Sequence, residues 1–227
     1  MPLPAYSIAI SQLKREVESR EVAASVLNAI EAVLNADGRV LARRSCLVLG
    51  SRGAIGRELC RSLQPRLDNP ERNLAGVDRV VIELGGANGL TEANAMAGLP
   101  SGRWLDVDLV IGVIGHSLLT GNEVEDWLRN SSKRALVLVS GSTKKVEFGA
   151  VMEWFDRLLH QDEPTIAGVP VSIKVEELLD PRTARVYGHR WIFSFADDRT
   201  SRTVVALANM TPINFLFYGV ATEIIDE

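Results

Sequence analysis

The segment from Ser45 to Leu63, SCLVLGSRGAIGRELCRSL, constrains the fold of this chain more than any other. An apolar run of strand length leads directly into a glycine-rich turn and then into a helical pattern. Gly50 would allow a tight turn after the strand, Gly53 a close approach of the backbone to phosphate, and Gly56 close packing of the helix on the sheet. The pattern predicts a dinucleotide pyrophosphate at the positive end of the helix. A glycine-rich turn without a ligand is the alternative.

Size, charge and cysteine content narrow the class of protein. The 227 residues, 46% of them hydrophobic, suffice for one substantial core. The net charge of -4 leaves no broad basic field, so nucleic acid is not an expected partner. No apolar run approaches membrane-spanning length and the N-terminus does not resemble a signal peptide, so no membrane association is expected. Two cysteines inside predicted elements indicate buried thiols and a cytoplasmic location, and no metal-ligand spacing is present.

The order of the predicted elements indicates an α/β fold. We expect residues 1–227 to form a single NAD-binding domain of Rossmann type, with a doubly wound, mainly parallel sheet. Its parts are a long leading helix at 11–36, a core at 45–160, and a β-rich extension at 165–227 that returns to the sheet. Within these parts we expect Gly38 to stop the leading helix, a short helix at 90–97 and a last strand at 212–218. The last predicted helix has only about two turns before the chain ends, which is typical of a fragment of a longer protein.

An acidic residue is expected to select the cofactor. Residues 78–84 (DRVVIEL) are predicted to form the second strand, with Glu83 at its C-terminal end, 27 residues beyond Gly56. A carboxylate there would accept hydrogen bonds from the adenosine ribose and repel a 2′-phosphate, which favours NAD over NADP. Arg52 in the turn opposes this preference, since a guanidinium can bind phosphate bidentately. A solvated carboxylate at the strand end is the alternative for Glu83.

Two further turns follow the third and fourth predicted strands. Gly115-His116-Ser117 and the turn at 140–143 (SGST) are predicted at the carboxyl edge of the sheet, where ligands bind in open α/β folds. His116 is the histidine nearest this crevice and is a candidate general acid or base. A hydrogen-bonded structural histidine is the alternative.

Several segments agree in order with one known family. They are Ser11-Gln-Leu-Lys14 ahead of the long helix, the glycine turn, Val-Ile-Glu83, and Pro-Ile-Asn214-Phe after a Val-Val-Ala-Leu-Ala strand. Over nearly its whole length the chain resembles the cofactor domain of the S-adenosyl-L-homocysteine hydrolases. The resemblance implies that Lys14 works on the substrate ribose, Glu83 holds the adenosine ribose, and Asn214 contacts the nicotinamide amide.

The departures from that family are as informative as the matches. Glu18-Ser19 stands where the family has Asp-Asn, and Gly141-Ser142-Thr143 where it has Gly-His-Phe. The histidine-bearing segment after the late asparagine is missing, and the glycine turn is one residue longer than the family's. The large substrate domain does not fit into a chain of this length, so hydrolysis of adenosylhomocysteine is not expected.

The sequence therefore predicts an NAD-binding protein that serves an oxidoreductase step on an unknown small-molecule substrate. A non-catalytic dinucleotide-binding or regulatory module, acting through an oligomeric interface, is the alternative, so enzyme activity stays open. The predicted cofactor-binding residues are Gly50, Ser51, Arg52, Gly53, Ala54, Ile55, Gly56, Glu83, Gly115, Ser142 and Asn214. The candidates for proton transfer are Lys14 and His116.

The β-rich extension suggests an oligomer. Its predicted strands carry Val171, Ile173, Tyr187, Trp191 and Phe193 outside the doubly wound core. Apolar strand surface of this extent needs a cover, and a symmetric dimer would supply one. An extension folded against the edge of its own sheet is the alternative.

Overall fold

The computed structural model describes residues 17–78, 81–84, 89–92, 95–141, 146–179, 184, 186–198 and 201–207. Three predicted site residues, Lys14, Ser142 and Asn214, lie outside these ranges, as does the strand predicted at 212–218. For residues 81–84 and 89–92 the backbone alone is described.

Helices and short strands alternate through most of the described chain. The helices are α1 (Ser19–Ala36), α2 (Ala54–Leu63), α3 (Pro70–Asn73), α4 (Ser101–Asp106), α5 (Gly121–Asn130) and α6 (Gly149–Leu159). The strands are β1 (Cys46–Leu49), β2 (Leu74–Val77), β3 (Val81–Leu84), β4 (Gly89–Glu92), β5 (Leu109–Gly112), β6 (Ala135–Ser140), β7 (Thr165–Ile166), β8 (Val169–Leu179), β9 (Val186–Phe195) and β10 (Ser201–Leu207). The leading helix ends where Gly38, at φ 69°, follows its last turn, as predicted.

The strands form one sheet in the order β4-β3-β2-β1-β5-β6-β10-β9-β8-β7. The five strands β2, β1, β5, β6 and β10 are parallel, and each edge is extended by antiparallel strands. From β1 the chain builds first towards β2 and then, on the other side, towards β5. Ligands bind in open α/β sheets at such a switch point, beyond the carboxyl ends of the strands. The predicted Rossmann-type fold is therefore confirmed.

Helices cover both faces of the parallel strands. Val26 and Leu27 of α1 and Leu59 of α2 pack with Val48 on one face. The apolar side chains of α4, α5 and α6 pack on the other face with Leu47, Leu49 and their neighbours. Because both faces are buried, these strands are continuous apolar runs rather than alternating ones.

The second parallel strand is not the one that the sequence indicated. Residues 74–77 (LAGV) pair in parallel with β1, whereas Val81–Leu84 pairs antiparallel with β2 and with β4. The short helix α3, capped by the Asn69 side chain, leads the chain straight into β2. Two small residues made this strand less conspicuous than the β-branched run that follows it. The helix predicted at 90–97 is also wrong in its first half, where β4 lies.

The C-terminal strands lie against their own chain. Val171, Trp191 and Phe193 are buried, and the Phe155 ring of α6 lies 4.7 Å from that of Trp191 and 5.5 Å from that of Phe193. Much of the apolar surface for which an oligomer was invoked is thus covered within the chain. None of the helices in the described part of the chain combines the length and apolar character that a membrane crossing requires.

Candidate dinucleotide-binding site

The glycine turn joins β1 to α2 at the carboxyl edge of the sheet. Gly50 adopts a φ of 92°, and its N–H donates to the carbonyl of Val77 at 2.7 Å. A Cβ on Gly50 would lie 3.0 Å from the backbone of Ile114 in the loop after β5. A left-handed φ and this close approach both require glycine. The turn is therefore held between the ends of β2 and β5.

The start of α2 packs directly on this turn. A Cβ on Gly56 would lie 1.9 Å from the carbonyl oxygen of Gly50, so only glycine allows the helix to come this close. Gly53 precedes the helix in an extended conformation and is exposed, and because it has no side chain it cannot cap α2. The first N–H groups of a helix have no partner within the helix. Those of Ala54 and Ile55 are therefore left without a partner inside α2 and are available as hydrogen-bond donors at its start.

Ser51 places a hydroxyl inside the turn. The residue is 1% exposed, and its Oγ has no hydrogen-bond partner in the described part of the structure. Buried hydroxyls are normally paired, because an unpaired one loses the hydrogen bonds that it made with water. The turn thus contains one buried hydroxyl that has no partner among the described residues.

The acid beside the turn is Asp78, not Glu83. Asp78 follows β2 directly, and its Oδ2 accepts a hydrogen bond from the backbone N–H of Arg52 at 3.1 Å. Glu83 lies instead within β3, with its backbone opposite Gly76 of β2. The position assigned to Glu83, at the carboxyl end of the strand beside β1, therefore belongs to Asp78. Its spacing of 22 residues from Gly56 is the usual one and could have revealed it.

The loop after β5 forms the next wall of the crevice. Gly115 has a φ of 83°, and the N–H groups of Ile114 and Gly115 donate to the carboxylate of Glu147 at 3.3 and 2.9 Å. Glu147 is fully buried, and Gly112 leaves room for it, since a Cβ there would lie 2.9 Å from that of Glu147. This carboxylate fixes the loop. Nothing in the sequence singles out Glu147, because it stands in a helical pattern with no distinguishing spacing.

His116 lies in this same loop and is half-buried. The next residue, Ser117, donates its hydroxyl to the carbonyl of Leu119 at 3.1 Å and accepts from the N–H of Ala150 at the start of α6 at 3.3 Å. His116 therefore sits between two anchored residues, Gly115 and Ser117. The structure brings it to the same edge as the glycine turn, and its part in proton transfer stays a prediction.

The opposite, amino-terminal edge of the sheet holds a buried ion pair and a buried thiol. The carboxylate of Asp108 accepts from the Ser45 N–H at 2.8 Å and from Arg44 at 3.0 Å, and burial raises its pKa. Burial likewise raises the pKa of the Cys46 thiol far above its ordinary value. Such a thiol is inert at neutral pH. Among the residues with a described position, no group of three His, Cys, Asp or Glu side chains could hold a metal ion.

Comparisons with known proteins gave matches among solved structures alone. No protein-family model and no curated protein matches the chain. A structure described as a malic enzyme (malate oxidoreductase) is 18% identical over 62% of this chain and 38% of its own, with a TM-score of 0.40. Plasmodium falciparum glutamate dehydrogenase is 9% identical over 65% and 34%, with a TM-score of 0.45. The 2-hydroxyacid dehydrogenase of Ketogulonicigenium vulgare is 18% identical over 55% and 42%, with a TM-score of 0.35. The chain thus spans less than half of each of these three structures.

Proposed function

We propose that this chain binds NAD across the carboxyl edge of β2, β1 and β5 and serves an oxidoreductase step. The observation that carries the proposal is the pairing of a glycine turn and an uncapped helix start with an acid at the end of the adjacent strand. Each element alone occurs in proteins without a nucleotide. Together, at this switch point, they match the two ends of an adenosine diphosphate group.

The pyrophosphate is assigned to the turn and to the first turn of α2. The N–H groups there and the helix dipole favour negative charge. Gly53 is exposed at the helix start, where a side chain would compete with phosphate for space. Donors at a helix start are the groups that bind the oxygens of a phosphate ester.

The adenosine ribose is assigned to Asp78. Its carboxylate is tied to the turn through the Arg52 N–H, so it is held beside the pyrophosphate position. A carboxylate accepts from both ribose hydroxyls and repels a 2′-phosphate, which supports NAD over NADP. The NAD preference that was predicted through Glu83 is thus proposed here for Asp78.

The chemistry of the step belongs to the cofactor, which accepts or donates a hydride when bound. The chain orients the reacting groups: Glu147 holds the loop that carries His116, and His116 is proposed to hold or release the proton of the substrate. Lys14 and Asn214, assigned through the resemblance to adenosylhomocysteine hydrolases, remain proposals for the substrate and the nicotinamide amide. Hydrolysis of adenosylhomocysteine by this chain is still not expected.

Thermal unfolding in the presence of dinucleotide tests the proposal. NAD should raise the melting temperature more than NADP at equal concentration, with a shift that grows as the ligand exceeds its Kd. Gly53→Val should abolish the shift but keep the fold, since a Cβ at this exposed position would meet only the Gly50 carbonyl oxygen, at 3.3 Å, a contact that a small shift of the turn relieves. Gly102→Val is the matched control, because Gly102 is an exposed glycine of α4 and a Cβ there would meet no neighbouring atom within 4 Å.

A second variant tests the assignment of Asp78 to the adenosine ribose. Asp78→Asn should remove the preference for NAD over NADP while keeping a hydrogen bond to the turn. Equal stabilisation of Gly53→Val and the parent chain by NAD would overturn the pyrophosphate assignment. A stronger effect of NADP on the parent chain would overturn that of Asp78.

A cytoplasmic homodimer is proposed with this function. Both cysteines are free thiols. Beyond Val171, β8 pairs with β9 on one side and with no described strand on the other. Antiparallel pairing of two copies about Val175 would place Lys174 of one copy opposite Glu176 of the other, and such cross-strand pairs stabilise. Light scattering should give a dimer mass, and Lys174→Glu should give a monomer.

A further inference from the structure

The loop after β5 is held by a carboxylate that is buried completely. Glu147, in the turn before α6, is 0% exposed and forms no ion pair with any residue in the described ranges. Its Oε2 accepts from the N–H of Ile114 at 3.3 Å and its Oε1 from the N–H of Gly115 at 2.9 Å. A buried charge is costly unless other groups compensate it. In the described part of the chain, these two hydrogen bonds to one loop are the compensation.

The two N–H groups come from consecutive residues, an arrangement that forms a concave binding site for an anion. Here the carboxylate of Glu147 occupies that site, so neither N–H is available to a phosphate. The outer side of the loop is open at Gly115, which is exposed and where a Cβ would meet no atom within 4 Å. The loop therefore presents an open surface to the crevice, but it offers no free amide donor at these two positions.

This loop adjoins the glycine turn on the side away from Asp78. The N–H of Val113 donates to the carbonyl of Leu49 at 2.9 Å, and a Cβ on Gly50 would lie 3.0 Å from the backbone of Ile114. Strand β1 lies between β2 and β5, so Asp78 and the loop flank the turn from opposite sides. A dinucleotide with its pyrophosphate at the turn and its adenosine ribose at Asp78 continues over the loop.

We propose that Glu147 is a positioning residue for the nicotinamide ribose and ring, because it holds the loop over which they lie. This inference rests on the proposed function. A carboxylate is suited to the task, since both of its oxygens accept a hydrogen bond. A glutamine has one acceptor oxygen and an NH₂ group that would face the second loop N–H. The ADP part of the ligand is assigned to the turn and to Asp78, so its binding does not require Glu147.

Calorimetric titration of the full chain with NAD and with ADP separates the two parts of the ligand. The parent chain should bind NAD more tightly than ADP. Glu147→Gln should weaken NAD about tenfold, as expected when one buried N–H loses its partner, and should leave the affinity for ADP unchanged within about a factor of two. Glu153→Gln, at an exposed position of α6, is the matched control and should change neither affinity.

A second variant displaces the carboxylate without removing its charge. Gly112→Ala would put a Cβ 2.9 Å from the Cβ of Glu147, and it should also weaken NAD while ADP still binds. Retained ADP binding shows that a variant is folded. In amide NMR spectra of the parent chain, NAD should shift the resonances of Gly115 and His116, and ADP should not. A role of Glu147 in the fold alone would not produce this difference between the two ligands.

The possible failures are distinguishable. If the parent chain binds neither ligand, the proposed dinucleotide site is wrong and this inference is wrong with it. If the parent binds ADP as tightly as NAD, the assignments to the turn and to Asp78 stand and only the role of the loop is overturned. Unchanged NAD affinity in Glu147→Gln, or an equal loss of both ligands, would likewise overturn the role of Glu147 alone.

Discussion

The parallel centre of the sheet and its C-terminal extension are built from similar apolar residues but differ in strand length and in burial. Strands β1, β2 and β5 are four residues long and buried throughout, whereas β8 runs for eleven residues and alternates between exposed and covered positions. Helices cover both faces of the centre, and α6 covers part of one face of the extension. The candidate dinucleotide site therefore lies at the end of the strands that are buried on both faces.

The two regions also differ in whether their large buried polar side chains have hydrogen-bond partners. In the centre, the Glu147 carboxylate and the Trp127 indole are buried and hydrogen-bonded. In the extension, the Trp191 indole is buried beside a cavity without a described partner. Hydrogen bonds such as those of Glu147 and Trp127 make their surroundings rigid. The Ser51 hydroxyl of the glycine turn is the exception in the centre, since it has no described partner.

Substitutions of single glycines should have the largest effects on unfolding free energy and should differ most between the two regions. Gly56→Ala puts a Cβ 1.9 Å from the Gly50 carbonyl oxygen, and we expect it to cost about 4 kcal/mol or more in unfolding free energy. Gly188→Ala in β9, with a Cβ 2.5 Å from the Ala206 carbonyl oxygen, should cost less, because the outer strands can shift. Gly149→Ala, with no atom within 4 Å, is the control and should be neutral or slightly stabilising. Urea denaturation measures the unfolding free energy of all three variants. An equal loss for Gly56→Ala and Gly188→Ala would contradict the inference that the centre is more rigid than the extension.

Truncation of leucine measures how much burial each region supplies. Leu47→Ala in β1 removes a side chain that is 0% exposed, and we expect a loss of about 3 kcal/mol. Leu179→Ala, at the end of β8 where the side chain is 49% exposed, should cost less than about 0.5 kcal/mol. The midpoint of chemical unfolding reports both. A large loss for Leu179→Ala would mean that a second copy of the chain covers this position.

Replacing tryptophan by phenylalanine tests the pairing of polar groups. Trp127→Phe removes the donor to the Val107 carbonyl and leaves that buried acceptor unpaired, at a cost of about 2 kcal/mol. Trp191→Phe removes a donor that has no described partner, so its hydrogen-bonding cost should be near zero. Thermal unfolding without ligand compares the two variants. Equal destabilisation would show that the Trp191 indole is paired in solution.

The smallest effect concerns a contact between the two regions. Arg129 of α5 donates two hydrogen bonds to Asp197 in the turn after β9, at 2.8 and 3.2 Å, and these hold the pKa of Asp197 below 3.8. A lowered pKa means that the pair stabilises the fold above pH 3.8 and that this contribution is lost as the pH falls through the lowered value. Asp197→Asn should therefore lower the melting temperature by a few degrees at most at pH 7. The difference from the parent chain should shrink below pH 3.8, and a difference independent of pH would contradict this.

Much of the fold could be predicted because it rests on local patterns. The apolar runs at 46–49, 109–112 and 135–140, each followed by a helical pattern, are recognisable without tertiary information, as is α5 at 121–130. The roles of Gly50 and Gly56 could also be predicted. Gly50 has a left-handed φ, and Gly56 allows the helix to approach the turn closely, and both features require glycine. Such features depend on neighbours along the chain.

The rest depended on contacts between distant segments. That Leu74–Val77, rather than the more apolar run after it, pairs with β1 is decided by competition for one edge, and this choice moved the acid from Glu83 to Asp78. The hydrogen bonds of Glu147 reach a loop 32 and 33 residues away, and the cavity beside Trp191 forms only where α6 crosses the outer strands. Most of the central elements and the position of the turn thus follow from the amino-acid sequence, because backbone sterics and apolar periodicity are local. Only the tertiary structure decided which strand neighbours β1 and which buried polar groups find partners, because these outcomes depend on packing across the sheet.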